Sequence, residues 1–195
     1  MKAIVFVDVQ KDFIDGALRN EKAIEVTPKI VEWTKELMVS NPEYKFYATR
    51  DTHTKDYLNT LEGKKLPVEH CVEMTEGWMI DERLYNVLEG NCTFINKPTF
   101  GSFDLAEIID EDIQSGRILD NVAPEKRLEK MYEPLEEIVL CGFCTDICCV
   151  SCALLLRAKF PNTKITVMKD LCAGTNTENH EAALKVMKSC QVDIK

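Results

Sequence analysis

EIVLCGFCTDICCVSCALLLRAK, residues 137–159, changes its periodicity once, and that change carries the fold. Glu137 to Leu140 is a short apolar run of the kind that fills a buried strand. From Asp146 to Lys159 apolar residues recur at helical spacing, with Thr145 or Asp146 as the expected cap. A strand turning directly into a helix is half of a βαβ unit.

The same alternation extends in both directions. Ala3 to Val7, Lys45 to Thr49, Cys92 to Ile95 and Lys164 to Met168 read as strands. Pro28 to Val39, Asp81 to Leu88, Phe103 to Gln114, Glu125 to Tyr132 and Glu178 to Lys188 read as helices. The pattern predicts an α/β protein, a single-domain Rossmann-like three-layer sandwich over residues 1–195. Its mainly parallel sheet is covered by helices on both faces. A length of 195 residues with 45% hydrophobic side chains suits one domain with a sizeable core.

The net charge of −9 gives no attraction to phosphate backbones or anionic membranes, so neither nucleic acid nor membrane is expected as a partner. The N-terminal apolar run is broken at Asp8, too early for a secretory signal, and no run approaches a membrane span. Nine cysteines without a signal sequence fit a reducing, cytoplasmic setting.

In open parallel sheets ligands sit beyond the carboxyl ends of the strands. Asp8, the Arg50–His53 segment, Lys97 and the cysteine stretch all fall there. Cys141, Cys144, Cys149 and Cys152 spell two CxxC pairs, but zinc ribbons separate their pairs by a longer span. Small buried hydrophobes are the plainer reading of these four. Cys148 differs, because it falls in the first helical turn, where unpaired N–H groups lower a thiol pKa and can receive an oxyanion. Asp8 and Lys97, each at a strand end, supply a base and a charge partner to such a nucleophile.

VDVQKDF, TRDTH, NKPTFGSF and GFCTDICCV, in that order over nearly the whole chain, resemble the isochorismatase-like cysteine hydrolases, the superfamily that includes nicotinamidase. The resemblance implies a catalytic triad of Asp8, Lys97 and Cys148. It also implies a cis peptide between Phe143 and Cys144, an oxyanion hole of the Cys144 and Cys148 backbone N–H groups, and a substrate pocket at Phe13 and Phe143. Two of three histidines share a segment with Asp51. By themselves His53 and His70 could equally be solvated loop residues. The resemblance implies a divalent metal, zinc first with iron and manganese as alternatives, on Asp51, His53 and His70. Glu62 falls as the intervening ligand. His180 reads as structural or exposed. KKLPVEH offers Leu66, Pro67 and Val68 where nicotinamidases place an aromatic.

The expected activity is cleavage of a small carboxamide through a thioester, nicotinamide first. The alternatives are another amide, carbamoyl or ureido compound cleaved by the same triad, or a non-catalytic metal or redox protein using the cysteines. A homo-oligomer is expected. The unpatterned Leu58–Gly77 loop is long enough to carry function, and the long Asp104–Pro134 segment suits a lid or an oligomer contact.

Overall fold

Six strands, β1 (Lys2–Val7), β2 (Tyr44–Asp51), β3 (Cys92–Lys97), β4 (Glu137–Phe143), β5 (Lys164–Ala173) and β6 (Asp193–Ile194), form one sheet in the order β3-β2-β1-β4-β5-β6. Every neighbouring pair is parallel. The computed structural model describes residues 1–41, 44–115 and 135–195. β1 lies at the centre, and Ala3 through Val7 are all at most 1% exposed. A strand covered on both faces must be continuously apolar, which is why this run does not alternate.

Seven α-helical segments are described: α1 (Lys11–Ile14), α2 (Glu21–Ser40), α3 (Leu61–Lys65), α4 (Glu82–Leu88), α5 (Phe103–Ser115), α6 (Val150–Lys159) and α7 (Thr177–Ser189). The chain adds strands outward from β1 to β3 and then returns to β4. With right-handed crossovers, that reversal puts α2 and α4 on one face and α5, α6 and α7 on the other. Accordingly α2 packs with α4 and over β4 and β5, while α6 packs with α5 and α7 and over β5. The point of reversal, between β1 and β4, is where such sheets open a crevice. Gly142 in β4 has φ 123 and lies so close to the Val7 backbone that a Cβ would collide with it. The two strand ends that flank the crevice are thereby held together.

Several elements differ from the sequence reading. α2 begins at Glu21, not Pro28, because the Asn20 side chain accepts from the Lys22 and Ala23 N–H groups. Pro28 sits inside the helix, and the buried face Ala23, Val26, Ile30 and Val31 outweighs the hydrogen bond it cannot donate. The Leu58–Gly77 segment contains α3, capped by Thr60 on the Gly63 N–H. Its Leu61 is exposed, so no apolar stripe announced the helix. β5 continues to Ala173 beyond the polar Lys169–Asp170 pair, and the two-residue β6 is too short to register. Phe103–Ser115 is helical, but the Glu125–Tyr132 helix and the remainder of the Asp104–Pro134 segment lie outside the described residues. No helix among the described residues is long and apolar enough to cross a membrane.

Candidate active site

Asp8 is the first residue after β1, and its φ of 49 turns the chain away from the sheet. Asp is among the residues that tolerate this left-handed conformation. Its N–H is held at 3.2 Å from Thr49 Oγ1, and Thr49 Oγ1 donates back to Asp8 Oδ1 at 2.7 Å. Lys97 closes β3, with Nζ 2.7 Å from Asp8 Oδ2 and 3.5 Å from Cys148 Sγ. Nζ also donates to the Thr99 carbonyl at 3.1 Å and lies 3.6 Å from Asp51 Oδ1. Both Asp8 and Lys97 are buried, so each requires the other's charge.

Cys148 enters from the segment after β4. The Phe143–Cys144 peptide is cis, in agreement with the resemblance. Thr145–Cys149 then forms a π turn before α6, with the Ile147 and Cys149 N–H groups both donating to the Cys144 carbonyl at 3.1 Å. The cap expected from Thr145 or Asp146 is therefore corrected. Thr145 Oγ1 pairs with His180 Nδ1 at 2.8 Å, and Asp146 accepts from the Thr175 N–H at 2.8 Å and its hydroxyl at 2.5 Å. These contacts tie the π turn to α7 and to the loop before it. They also identify His180 as structural.

The electrostatics correct a second expectation. Burial pushes the Cys148 thiol well up, the Asp8 carboxylate adds to the rise, and Lys97 opposes it. The opposing cation does not outweigh burial. Burial likewise raises Asp8, against the pull of Lys97. For Lys97 burial acts downward, but Asp8, Cys148 and Asp51 outweigh it and the ammonium is stabilised. A buried thiol beside an ion-paired carboxylate can transfer its proton when a substrate arrives.

The other cysteines of the stretch behave as core. Cys141, Cys149 and Cys152 are buried, and Cys149 faces Cys172. Cys144 is partly buried, and burial pushes its thiol up to about 12. All nine are free thiols, and the one cluster of metal-ligating side chains among the described residues contains no cysteine.

That cluster is Asp51, His53, Glu62 and His70, whose ligand atoms lie within 4.8 Å of one another. Asp51 closes β2, His53 follows it, Glu62 is on α3 and His70 is on the loop beyond. Asp51 Oδ2 is 3.0 Å from His53 Nε2 and 3.5 Å from His70 Nε2, and Glu62 Oε1 is 3.8 and 3.9 Å from the same two nitrogens. Donors held about 2.0–2.2 Å from one tetrahedral ion stand about 3.4 Å apart, so the spacing fits a shared ion. His70 Nδ1 donates to the Val68 carbonyl at 2.8 Å, which leaves Nε2 with a free lone pair. Tyr57 is fully buried against both imidazoles, with ring centroids at 4.6 and 5.0 Å.

A cleft of about 1130 Å³ opens over both groups. Cys148 and Cys144 lie at its floor with Asp51, Glu62 and His70 beside them, and Phe13, Leu18, Leu61, Leu66, Phe100 and Ile147 supply apolar wall. Phe13 also packs its ring 5.7 Å from that of His70. Phe143 does not line the cleft. Its side chain is fully buried, and the residue meets the site through its backbone bond to Cys144. Leu18, Leu61, Phe100 and Ile147 were not singled out from sequence, because nothing local marks a leucine as a wall.

A profile described as the isochorismatase domain matches residues 2–194. Among solved structures, the chain is similar to the pyrazinamidase of Pyrococcus horikoshii in complex with zinc, at 24% identity and a TM-score of 0.76, covering 100% of this chain and 98% of that one. The nicotinamidase/pyrazinamidase of Bacillus subtilis gives 24% identity and a TM-score of 0.78, covering 99% and 98%. The PnC1 protein of L. infantum in complex with nicotinate gives 16% and 0.74, covering 100% and 91%. At these identities the likeness shows the fold. The profile spans all but the outermost residues, and the chain belongs to the isochorismatase family of hydrolases.

Proposed function

We propose that the chain hydrolyses a small carboxamide through a thioester on Cys148, releasing ammonia. The observation that carries this reading is Lys97 Nζ set between the Asp8 carboxylate and Cys148 Sγ, with Cys148 lining a cleft. Asp8 takes the Cys148 proton as Sγ bonds to the amide carbon, so the buried thiol ionises only in the presence of an electrophile. The carbonyl oxygen becomes an oxyanion, received by the Cys144 and Cys148 N–H groups. Asp8 returns its proton to the nitrogen, the C–N bond breaks, and ammonia leaves. Water then attacks the thioester with Asp8 again as base, which frees the acid and restores the thiol. Lys97 holds the Asp8 carboxylate in place through both half-reactions.

Asp51, His53, Glu62 and His70 would hold a divalent ion, zinc first, and such an ion supplies Lewis-acid contact to a ring nitrogen or a water in the cleft. The donor set and the zinc named with the Pyrococcus horikoshii structure support that choice.

Nicotinamide is the first substrate, supported by the nicotinamidase and pyrazinamidase names among structures of the same fold. One observation favours a second reading, an aliphatic amide or a carbamoyl or ureido compound. Leu61 and Leu66 form the wall beside His70, with no aromatic at positions 66–68 to stack on a pyridine ring. Ammonia release from nicotinamide, pyrazinamide, aliphatic amides and ureido compounds decides between them. Turnover of nicotinamide at least tenfold above the rest supports the first. Turnover of an aliphatic or ureido compound with nicotinamide inert supports the second. No ammonia from any of them contradicts both.

A further inference from the structure

We infer that Gln10 is a positioning residue for the metal group, fixing the ligand Asp51 to the segment that carries Asp8. Gln10 is fully buried, and its side-chain amide meets both backbone groups of Asp51. Oε1 accepts the Asp51 N–H at 2.7 Å, and Nε2 donates to the Asp51 carbonyl at 2.9 Å. The second Nε2 hydrogen goes to the Trp78 carbonyl at 2.8 Å, on the far side of the loop that carries His70. A carboxamide is the neutral side chain that presents an acceptor and two donors in one plane, so this pattern is specific to Gln or Asn, and Gln supplies the reach.

The neighbouring residues repeat the arrangement. Two positions before Gln10, Asp8 is the base of the proposed reaction, and the Gln10 N–H donates to the Asp8 carbonyl at 2.8 Å. Two positions after it, Asp12 Oδ2 accepts the N–H of Cys71 at 2.7 Å, the residue that follows His70, while Oδ1 accepts the Ala17 N–H at 2.9 Å. Cys71 has φ 46, a left-handed backbone that needs holding. The segment from Asp8 to Asp12 therefore meets the catalytic lysine, one metal-ligand strand and the metal-ligand loop in succession. None of the reaction steps uses Gln10, yet it fixes the backbone of Asp51, which would hold the ion, against the segment that carries Asp8. Asp51 reports this coupling directly, since Oδ1 faces Lys97 at 3.6 Å and Oδ2 faces His53 at 3.0 Å.

This inference rests on the metal reading of the proposed function. Its test compares the unaltered chain with Gln10→Met, which keeps the length and loses all three hydrogen bonds, and with Gln10→Glu, which keeps an acceptor for the Asp51 N–H. The zinc dissociation constant is measured by competition with a chromophoric chelator. Alkylation of Cys148 by iodoacetamide is timed in the metal-free protein. Outer ligands of this kind typically change metal affinity about 10–100-fold, so Gln10→Met is expected to bind zinc that much more weakly and Gln10→Glu to fall between. Cys148 alkylation should stay within about twofold, since the triad is untouched. Zinc affinity unchanged in folded Gln10→Met overturns the inference, as does alkylation falling by the same factor as affinity, which marks a general disturbance. If Gln10→Met does not fold, Gln10→Glu decides: weaker zinc binding supports the role and unchanged binding overturns it. No zinc binding by the unaltered chain overturns this inference together with the metal reading. Equal binding by all three proteins removes the inference alone.

Discussion

Lys97 is the residue whose removal separates the roles of charge and packing most cleanly. It is 1% exposed, and three groups, Asp8, Asp51 and Cys148, share its charge. Lys97→Met keeps the volume of the stem and deletes the ammonium. Asp8 then has no cation to offset burial, and both it and the Cys148 thiol rise further. The expected result is a fall in turnover of about 10²–10⁴-fold, together with slower alkylation of Cys148 at a fixed neutral pH. Turnover followed alongside mass-spectrometric alkylation rates checks it. Unchanged alkylation would show that Lys97 does not govern the thiol.

The pairing of Asp8 with Lys97 was legible because each ends an apolar run, and a charge buried in that position must be paired. Cys148 was singled out from its neighbours on other grounds, by its place in the first turn of the helix expected after a strand. Gln10 and Thr49 were not legible as site residues. Their partners stand 41 residues away, and no local pattern marks a glutamine as a backbone clamp. The sign of the Cys148 pKa shift was misjudged for a related reason, since burial is a property of the assembled core and not of a helix start.

Among the elements, the π turn Thr145–Cys149 decides where Cys148 points. Asp146 holds it by two hydrogen bonds to Thr175, and each is worth about 0.5–1.5 kcal/mol or somewhat more to a charged acceptor. Asp146→Ala should lower turnover about tenfold or more with a loss of about 1–3 kcal/mol in stability, read by kinetics and urea denaturation. Cys149→Ala is the contrasting change. Cys149 is fully buried against Cys172, away from the cleft, so turnover should persist within about threefold while stability drops by about 1 kcal/mol. Loss of turnover in Cys149→Ala with normal folding would reverse the assignment of the two adjacent cysteines. Strands and most helices were readable from their apolar runs. The start of α2 was not, because Pro28 mimics a first-turn proline while the true cap, Asn20, lies outside the apolar stripe. The π turn was unreadable for a different reason: the Asp146 and Thr145 side chains that suit a cap are committed to Thr175 and His180 instead.

At the scale of the whole molecule, the buried cysteines impose an alkaline limit. Burial raises Cys141, Cys148 and Cys149 well above the ordinary thiol value and takes Cys92, Cys144 and Cys152 up to about 12. The unfolded chain releases these protons near pH 8.5 and the folded chain keeps them, so above that value the folded state binds more protons. Stability is then full below about pH 8.5 and declines as pH rises toward the folded values. Calorimetry under reducing conditions should show the melting temperature falling steadily from about pH 8 to about pH 10. A flat profile across that interval would contradict the burial of the thiols. The acidic surface, at a net charge of −9, adds self-repulsion in the same direction.

The most direct test of the central claim is to quench the enzyme during turnover of its best amide and map the acyl group by mass spectrometry. The account predicts a hydroxylamine-sensitive acyl adduct on Cys148 in the unaltered protein, and neither adduct nor ammonia release in Cys148→Ala. An adduct on Cys144 or Cys149, or turnover persisting in Cys148→Ala, would contradict it.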